Sequence, residues 1–137
     1  MRLPIEVEAI IFRRNDKRIE YLLLKRLPQK NGFWQPVTGG VEEGESEIEA
    51  LKRELAEEVN LKNVRILDKI YEYSYVWKDL FIPVSTYAVE ANVNEKIKLQ
   101  ADERESPITD FAWVTKEKAV KMLYWKDEKK AVKSFKS

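Results

Sequence analysis

The chain predicts an α+β fold, a mixed sheet packed between helices, and three observations carry that expectation. Strand-like and helix-like runs are interspersed along the chain instead of being segregated into separate halves. The strand-like runs are joined by short polar turns, the connection that antiparallel pairs need. The helical runs carry apolar residues at spacings of three and four, so each presents one stripe to a core. At 137 residues the chain has the size of one domain, spanning residues 1–137, with enough length for a core of its own.

The elements follow in order. Residues 5–12 alternate and then become continuously apolar, which reads as a strand. Residues 13–17, with Asn15-Asp16 at the centre, form a turn, and 19–25 (IEYLLLK) is a second strand apolar enough to lie centrally in the sheet. Arg26 ends it. A loop with Pro28 and Gly32 follows, and Phe33-Trp34 leads through Pro36 into the glycine pair Gly39-Gly40. Ile48, Leu51, Leu55 and Val59 then mark a helix. Ser46 is its N-cap with Glu49 at the capping-box position, and Asn60 is its left-handed terminus. Residues 64–77 and 80–91 read as a β-hairpin turning at Lys78-Asp79. Residues 97–99 suggest a short strand piece, 101–106 (ADERES) an acidic loop, and 108–114 a last strand. Thr115 caps a helix running to Leu123, and a C-terminal helix begins at Asp127.

Composition narrows the chemistry. Lys and Arg number 25 against 24 Asp and Glu, so no strong global field points to a nucleic-acid polymer or a membrane surface. Without Cys or His, thiolate chemistry, Ser-His-Asp machinery and His-ligated metal sites are all excluded. Acid–base work falls to carboxylates, Lys, Tyr or metal-bound water. The N-terminal residues lack a basic stretch followed by a long apolar run, and no apolar segment approaches about 20 residues, so a cytoplasmic protein is the expectation.

The chemistry-bearing stretch is 39–61, GGVEEGESEIEALKRELAEEVNL. Glu54, Glu57 and Glu58 stand at i, i+3 and i+4, on one helix face beside the apolar stripe. Three adjacent like charges repel, and a hard divalent cation with oxygen ligands would remove the conflict.

These residues resemble the Nudix hydrolase signature. Its box runs Gly, five residues, Glu, seven residues, Arg-Glu, an apolar residue, any residue, Glu-Glu, any residue, Gly, apolar. Gly39, Glu45, Arg53, Glu54, Leu55, Glu57, Glu58 and Leu61 fall on their places, and Asn60 stands where the family has Gly. The resemblance implies an α/β/α sandwich with the box as loop–helix–loop, and hydrolysis of a nucleoside diphosphate linked to another group. By position it implies Mg²⁺ or Mn²⁺ on Glu54, Glu57 and Glu58, with a backbone carbonyl near Thr38 and Gly39. It implies Glu45 and Arg53 as a structural brace and the glycines as sites of close phosphate approach. The family's base is a box Glu such as Glu58 or a Glu in the loop before the last strand, here Glu105 first and Glu103 second. The run FWQPVTGGVEEGE and the Trp125 region are similar to the dihydroneopterin triphosphate pyrophosphatase branch, with general (d)NTP pyrophosphohydrolases close by.

The expected partner is therefore a small-molecule nucleotide or pterin triphosphate, held by Arg26, Trp34, Gly39, Gly40, Tyr75 and Trp125. Arg26 reads equally as a phosphate ligand or as a brace for the box. Tyr71, Tyr73, Tyr75 and Trp77 occupy alternate places and share one sheet face, packed in the core or stacked on a base. Rival readings are ADP-ribose or dinucleoside polyphosphate hydrolysis, a non-catalytic nucleotide-binding module of the same fold, and a metal-independent acidic interaction module.

Overall fold

The sheet is built outward from β1 (Arg2–Asn15), in which residues 6–12 are all buried. The computed structural model describes residues 1–26, 33–99 and 108–136. One edge of β1 pairs in parallel with β6 (Leu80–Ala91), from Glu6↔Val84 to Phe12↔Glu90. The other edge is shared. Its end forms a hairpin with β2 (Arg18–Arg26), and its beginning pairs antiparallel with β4 (Val37–Glu42). β2 in turn takes β3 (Phe33–Gln35) and β7 (Ile108–Val114), and β5 (Val64–Trp77) closes the far edge against β6. One parallel pair among antiparallel ones makes the sheet mixed, as expected.

Alternation along the buried strands feeds two cores. Val7, Ala9 and Ile11 join Leu22, Leu24, Val37 and Val41 on the face covered by α1 (Glu47–Val59), through Ala50, Leu51, Leu55 and Val59. Ile10, Phe12, Tyr21, Leu23 and Ala88 form the other face. It packs on Ala119 of α2 (Lys116–Met122) and on Ala131 and Val132 of α3 (Lys126–Ser134). The result is the α/β/α sandwich. Leu51 and Leu55 are fully buried, and each such side chain stabilises the fold by roughly 1.5–3 kcal/mol. Among the described residues, no helix is long and apolar enough to cross a membrane.

Three local details go beyond or correct the expected layout. Phe33, Trp34 and Gln35 form β3, and the glycine pair, for which the sequence predicted no element, lies inside β4. Glycine is a weak strand former, so this strand is held by its neighbours rather than by local preference. Residues 97–99 form no strand. Ile97 and Leu99 pack against the α1-side core, and Lys98 N–H bonds the Val59 carbonyl at the helix end. The third concerns the β5–β6 turn, where Lys-Asp is poor chemistry for a two-residue hairpin turn. Lys78 and Asp79 nonetheless adopt φ of 48° and 64°, the left-handed pair that a type I′ turn demands.

Candidate active site

The box helix begins where the sequence signals it. Ser46 Oγ accepts from Glu49 N–H and Glu49 returns a bond to Ser46 N–H, completing the capping box. Ahead of it the chain turns at Gly44, whose φ of 87° is open to glycine at no steric cost. The helix ends at Asn60, with φ 60° and ψ 32°, and Leu61 N–H reaches back to the Leu55 carbonyl. Asn60 N–H also bonds the Ala56 and Leu55 carbonyls, so Asn replaces the signature Gly while keeping the left-handed helix ending.

Arg53 ties helix to strand. Its Nε donates to Glu45 Oε2 at 2.8 Å and its Nη2 to Glu45 Oε1 at 2.9 Å, a bidentate pair. Nη2 also donates to the Gly40 carbonyl at 2.8 Å, and Nη1 to Glu54 Oε1 at 2.9 Å. Glu45 Oε1 accepts from Glu42 N–H as well, so one guanidinium and one carboxylate fasten β4, the turn and α1 together. Arg53 first, and that amide second, hold the Glu45 carboxyl down to about 2 from an ordinary 4.5.

The three box carboxylates sit differently. Glu54 and Glu58 are buried, while Glu57 is half exposed and lies 3.5 Å from Arg53. Glu58 is ion-paired to Arg26 across from the end of β2, which is the bracing arrangement expected as one of two roles for Arg26. Glu54 lies directly over Gly39, where a Cβ would collide with its carboxyl group. Gly39 has no positive φ, so its missing side chain serves close packing of Glu54 rather than backbone freedom. A Cβ on Gly40 would instead meet the Arg2 side chain on the opposite face.

The donor set is all oxygen, the chemistry that hard divalent ions take. Among the described residues, no three acidic side chains lie close enough to hold an ion as they stand, because arginines engage Glu54 and Glu58 separately. A cation would compete with Arg53 and Arg26 for the same oxygens. The types, the spacing and the packing of Glu54 against Gly39 fit such an ion. Glu103 and Glu105 lie outside the described residues.

The aromatic candidates fall into separate groups. Trp34 lies on β3 with Lys25 Nζ 6.0 Å from its ring centroid. Trp125, half exposed, joins Phe33 and Tyr124 in a cluster with centroid separations of 4.4–5.9 Å. Tyr75 is at the other end of the strand order, on β5. The tyrosine row does share one face, and its hydroxyls end on carboxylates: Tyr71 on Asp127 (2.8 Å), Tyr73 on Glu8 (2.9 Å) and Tyr75 on Glu6 (2.7 Å). Tyr71 and Tyr73 are packed in, whereas Tyr75 and Trp77 are exposed.

Sequence reasoning missed the acids beneath that row. Glu8 is fully buried in the sheet. It accepts from Tyr73, from Thr86 at 3.0 Å and from Thr38 at 3.4 Å, and it shares a hydrogen bond with Glu128 of α3. Burial first, and the Glu8 charge second, push the Glu128 carboxyl up to about 10, and burial pushes Glu8 up as well. The available signal was the string Glu6-Val7-Glu8 opening an otherwise apolar strand.

The NUDIX domain family model matches residues 3–135. The chain belongs to the Nudix family. An octanoyltransferase of Myxococcus xanthus is 31% identical over 116 residues, which is 82% of this chain and 31% of that protein. The dihydroneopterin triphosphate diphosphatase of Escherichia coli K12 is 41% identical over 58 residues, 42% of this chain and 37% of that protein. The matched stretches thus span about a third of these relatives' lengths. A crystal structure of an Ap4A hydrolase from C. elegans in a binary complex superposes with a TM-score of 0.82 at 24% identity, covering 96% of this chain and 93% of that one. At that identity it is the Nudix fold that is shared.

Proposed function

We propose that this Nudix domain is a pyrophosphohydrolase that cleaves a nucleoside triphosphate-like substrate, dihydroneopterin triphosphate or a (d)NTP, to monophosphate and pyrophosphate. The observation that carries the reading is the Arg53 clamp, which fixes β4 and α1 so that Glu54 lies on Gly39 in a helix that also bears Glu57 and Glu58. A site of this kind must be rigid before substrate arrives, and a bidentate guanidinium–carboxylate pair supplies rigidity.

Glu54, Glu57 and Glu58, with the backbone carbonyl near Thr38 or Gly39, would hold Mg²⁺ or Mn²⁺. When bound, such an ion supplies charge neutralisation at the diphosphate and acidifies a water. The chain's own work is then positional and acid–base. Arg53 and Glu45 keep the carboxylates in place, and Arg26 secures Glu58 until a phosphate competes for its guanidinium. Glu105, with Glu58 and Glu103 as the other candidates, takes the proton of the attacking water, since no His is present. Trp34 and Trp125 border the β3 end of the molecule as further substrate contacts.

The similarity to a named dihydroneopterin triphosphate diphosphatase over 58 residues supports the triphosphate class. The test is a substrate panel with product analysis. Pyrophosphate released from a triphosphate supports the reading, and AMP released from ADP-ribose overturns it. Glu58→Gln is expected to abolish Mg²⁺-dependent turnover while leaving the fold intact by circular dichroism, and retained turnover would remove Glu58 from the site.

A further inference from the structure

β5 is an edge strand. The strand order ends on it, and among the described residues no strand other than β6 pairs with it. An unpaired edge invites another strand, and natural sheets protect theirs with charges and bulges. β5 does so over its first part only. Arg65, Asp68, Lys69 and Glu72 are charged, and the register slips between Ile66 and Lys69 and again between Lys69 and Tyr71. From Tyr73 to Trp77 (YSYVW) the strand carries no charge and the register runs without a slip. This part also lies open: Ser74, Tyr75, Val76 and Trp77 are all exposed, Val76 by 69% and Trp77 by 54%.

The turn fixes which backbone groups face outward. Lys78 and Asp79 take φ of 48° and 64°, and Trp77↔Leu80 is the pair that flanks them. In a two-residue turn of this kind the flanking pair is hydrogen-bonded. Inward and outward bonding alternate along an antiparallel strand. Trp77, Tyr75 and Tyr73 therefore bond β6, while the N–H and C=O groups of Val76, Ser74 and Glu72 point away from it. Pro83 agrees with this phase, because it stands opposite Ser74, in a pair that needs no N–H from it.

We propose that two copies of the chain pair antiparallel through residues 72–78 of β5 and its turn, across a two-fold axis at Tyr75, so that one sheet runs through both. Outward groups must meet outward groups. That allows Ser74 against Val76 of the second copy, Ser74 against Ser74, or Val76 against Val76. Charge selects the first. It sets Lys78 beside Glu72 of the second copy, twice by symmetry, whereas the others set Lys78 beside Ile70 or Ser74. Both charged residues are exposed and free of burial cost. The same register lays Tyr75 on Tyr75 in the close, non-hydrogen-bonded pair and Trp77 on Tyr73, aromatic cross-strand contacts on one face. Lysine is a poor choice for a left-handed turn position, and a charge contact with a second copy gives it a reason to be there. The Arg53 clamp joins β4 to α1, away from this edge, so self-association stands or falls apart from the hydrolase reading.

Sedimentation velocity from about 1 to 200 µM reads the association, bracketing the Kd on the order of 10 µM expected where about seven residues of each copy meet. Amide exchange by NMR reads its place. As the dimer forms, the Ser74 and Val76 amides should become protected, while those of Tyr73 and Tyr75, already bonded to β6, should not change. Val76→Pro removes one outward N–H per copy and spares the bonds to β6, so it should weaken the dimer at least about 10-fold. Lys78→Glu should weaken it by about 10-fold, and adding Glu72→Lys should recover the loss, since the charges are then exchanged. These two exposed positions keep the inference falsifiable if Val76→Pro does not fold. A chain monomeric at every concentration, or no new protection at Ser74 and Val76, would overturn the inference. So would a dimer that Val76→Pro and Lys78→Glu both leave unweakened, or a double charge variant that recovers nothing. A monomer that binds phosphatidylglycerol vesicles would assign the open edge to a lipid surface and overturn it as well.

Discussion

Gly39→Ala tests the central contact of the candidate site. Gly39 has no positive φ, so alanine can adopt its backbone and would gain roughly 0.4–1 kcal/mol by restricting the unfolded chain. Against this, the new methyl would stand where the Glu54 carboxyl lies. Glu54 is 5% exposed and bonded to Arg53 at 2.9 Å, so it can move only by giving up a charged hydrogen bond of about 1.5–3 kcal/mol. The net expectation is a loss of about 1–2 kcal/mol in urea unfolding. For a chain of this size that lowers Tm by several degrees, roughly 3–5 °C per kcal/mol. The decisive comparison is the same substitution in a Glu54→Ala background. There the collision is gone, only the unfolded-state gain remains, and Gly39→Ala should stabilise by about 0.4–1 kcal/mol. The sign reverses between backgrounds. Equal effects of Gly39→Ala in the two backgrounds would refute the argument that this glycine exists to admit Glu54.

Three further outcomes follow from the geometry. At Asn60 the left-handed φ of 60° makes Asn60→Val cost about 1–2 kcal/mol in denaturant unfolding, while Asn60→Gly should match or slightly exceed wild type; a neutral Asn60→Val would mean that the helix ends elsewhere. Glu45 titrates at about 2 in the folded chain against 4.5 ordinarily, so its stabilising contribution is complete above pH 4.5 and fades as pH falls toward 2. Glu45→Gln should flatten that part of the acid melting profile, and an unchanged profile would count against the clamp. Glu128 is displaced the opposite way, up to about 10. Stability from that acid is whole below pH 4.5 and declines as pH rises toward 10, because the folded state resists releasing the proton. Glu128→Gln should remove the alkaline slope, read by thermal melts from pH 5 to 10, and a slope that survives would place the titrating group elsewhere.

The box helix was legible because its determinants are local. Ser46, Glu49, the three-and-four apolar spacing and Asn60 all act within a turn or two of themselves. The strand before it was not, since glycines such as Gly39 and Gly40 carry no strand signal of their own. Their place in β4 depends on Glu54 and Arg2, which lie 15 and 38 residues away in sequence. The same division holds for the aromatic row. Period two correctly put Tyr71, Tyr73, Tyr75 and Trp77 on one face, but which of them are covered depends on where α3 begins. Asp127 and Glu128 reach Tyr71 and the Glu8–Tyr73 pair, whereas the Tyr75 hydroxyl bonds Glu6. Glu6 and Glu8, two places apart on one strand, consequently meet opposite fates. Glu8 is fully buried against Glu128, while Glu6 keeps slight exposure between Tyr75 and Arg2. The mixed sheet thus divides its acids by depth. Glu8 and Glu128 meet under α3, Glu54 and Glu58 are held on α1 by Arg53 and Arg26, and Glu6 is held by Tyr75 and Arg2.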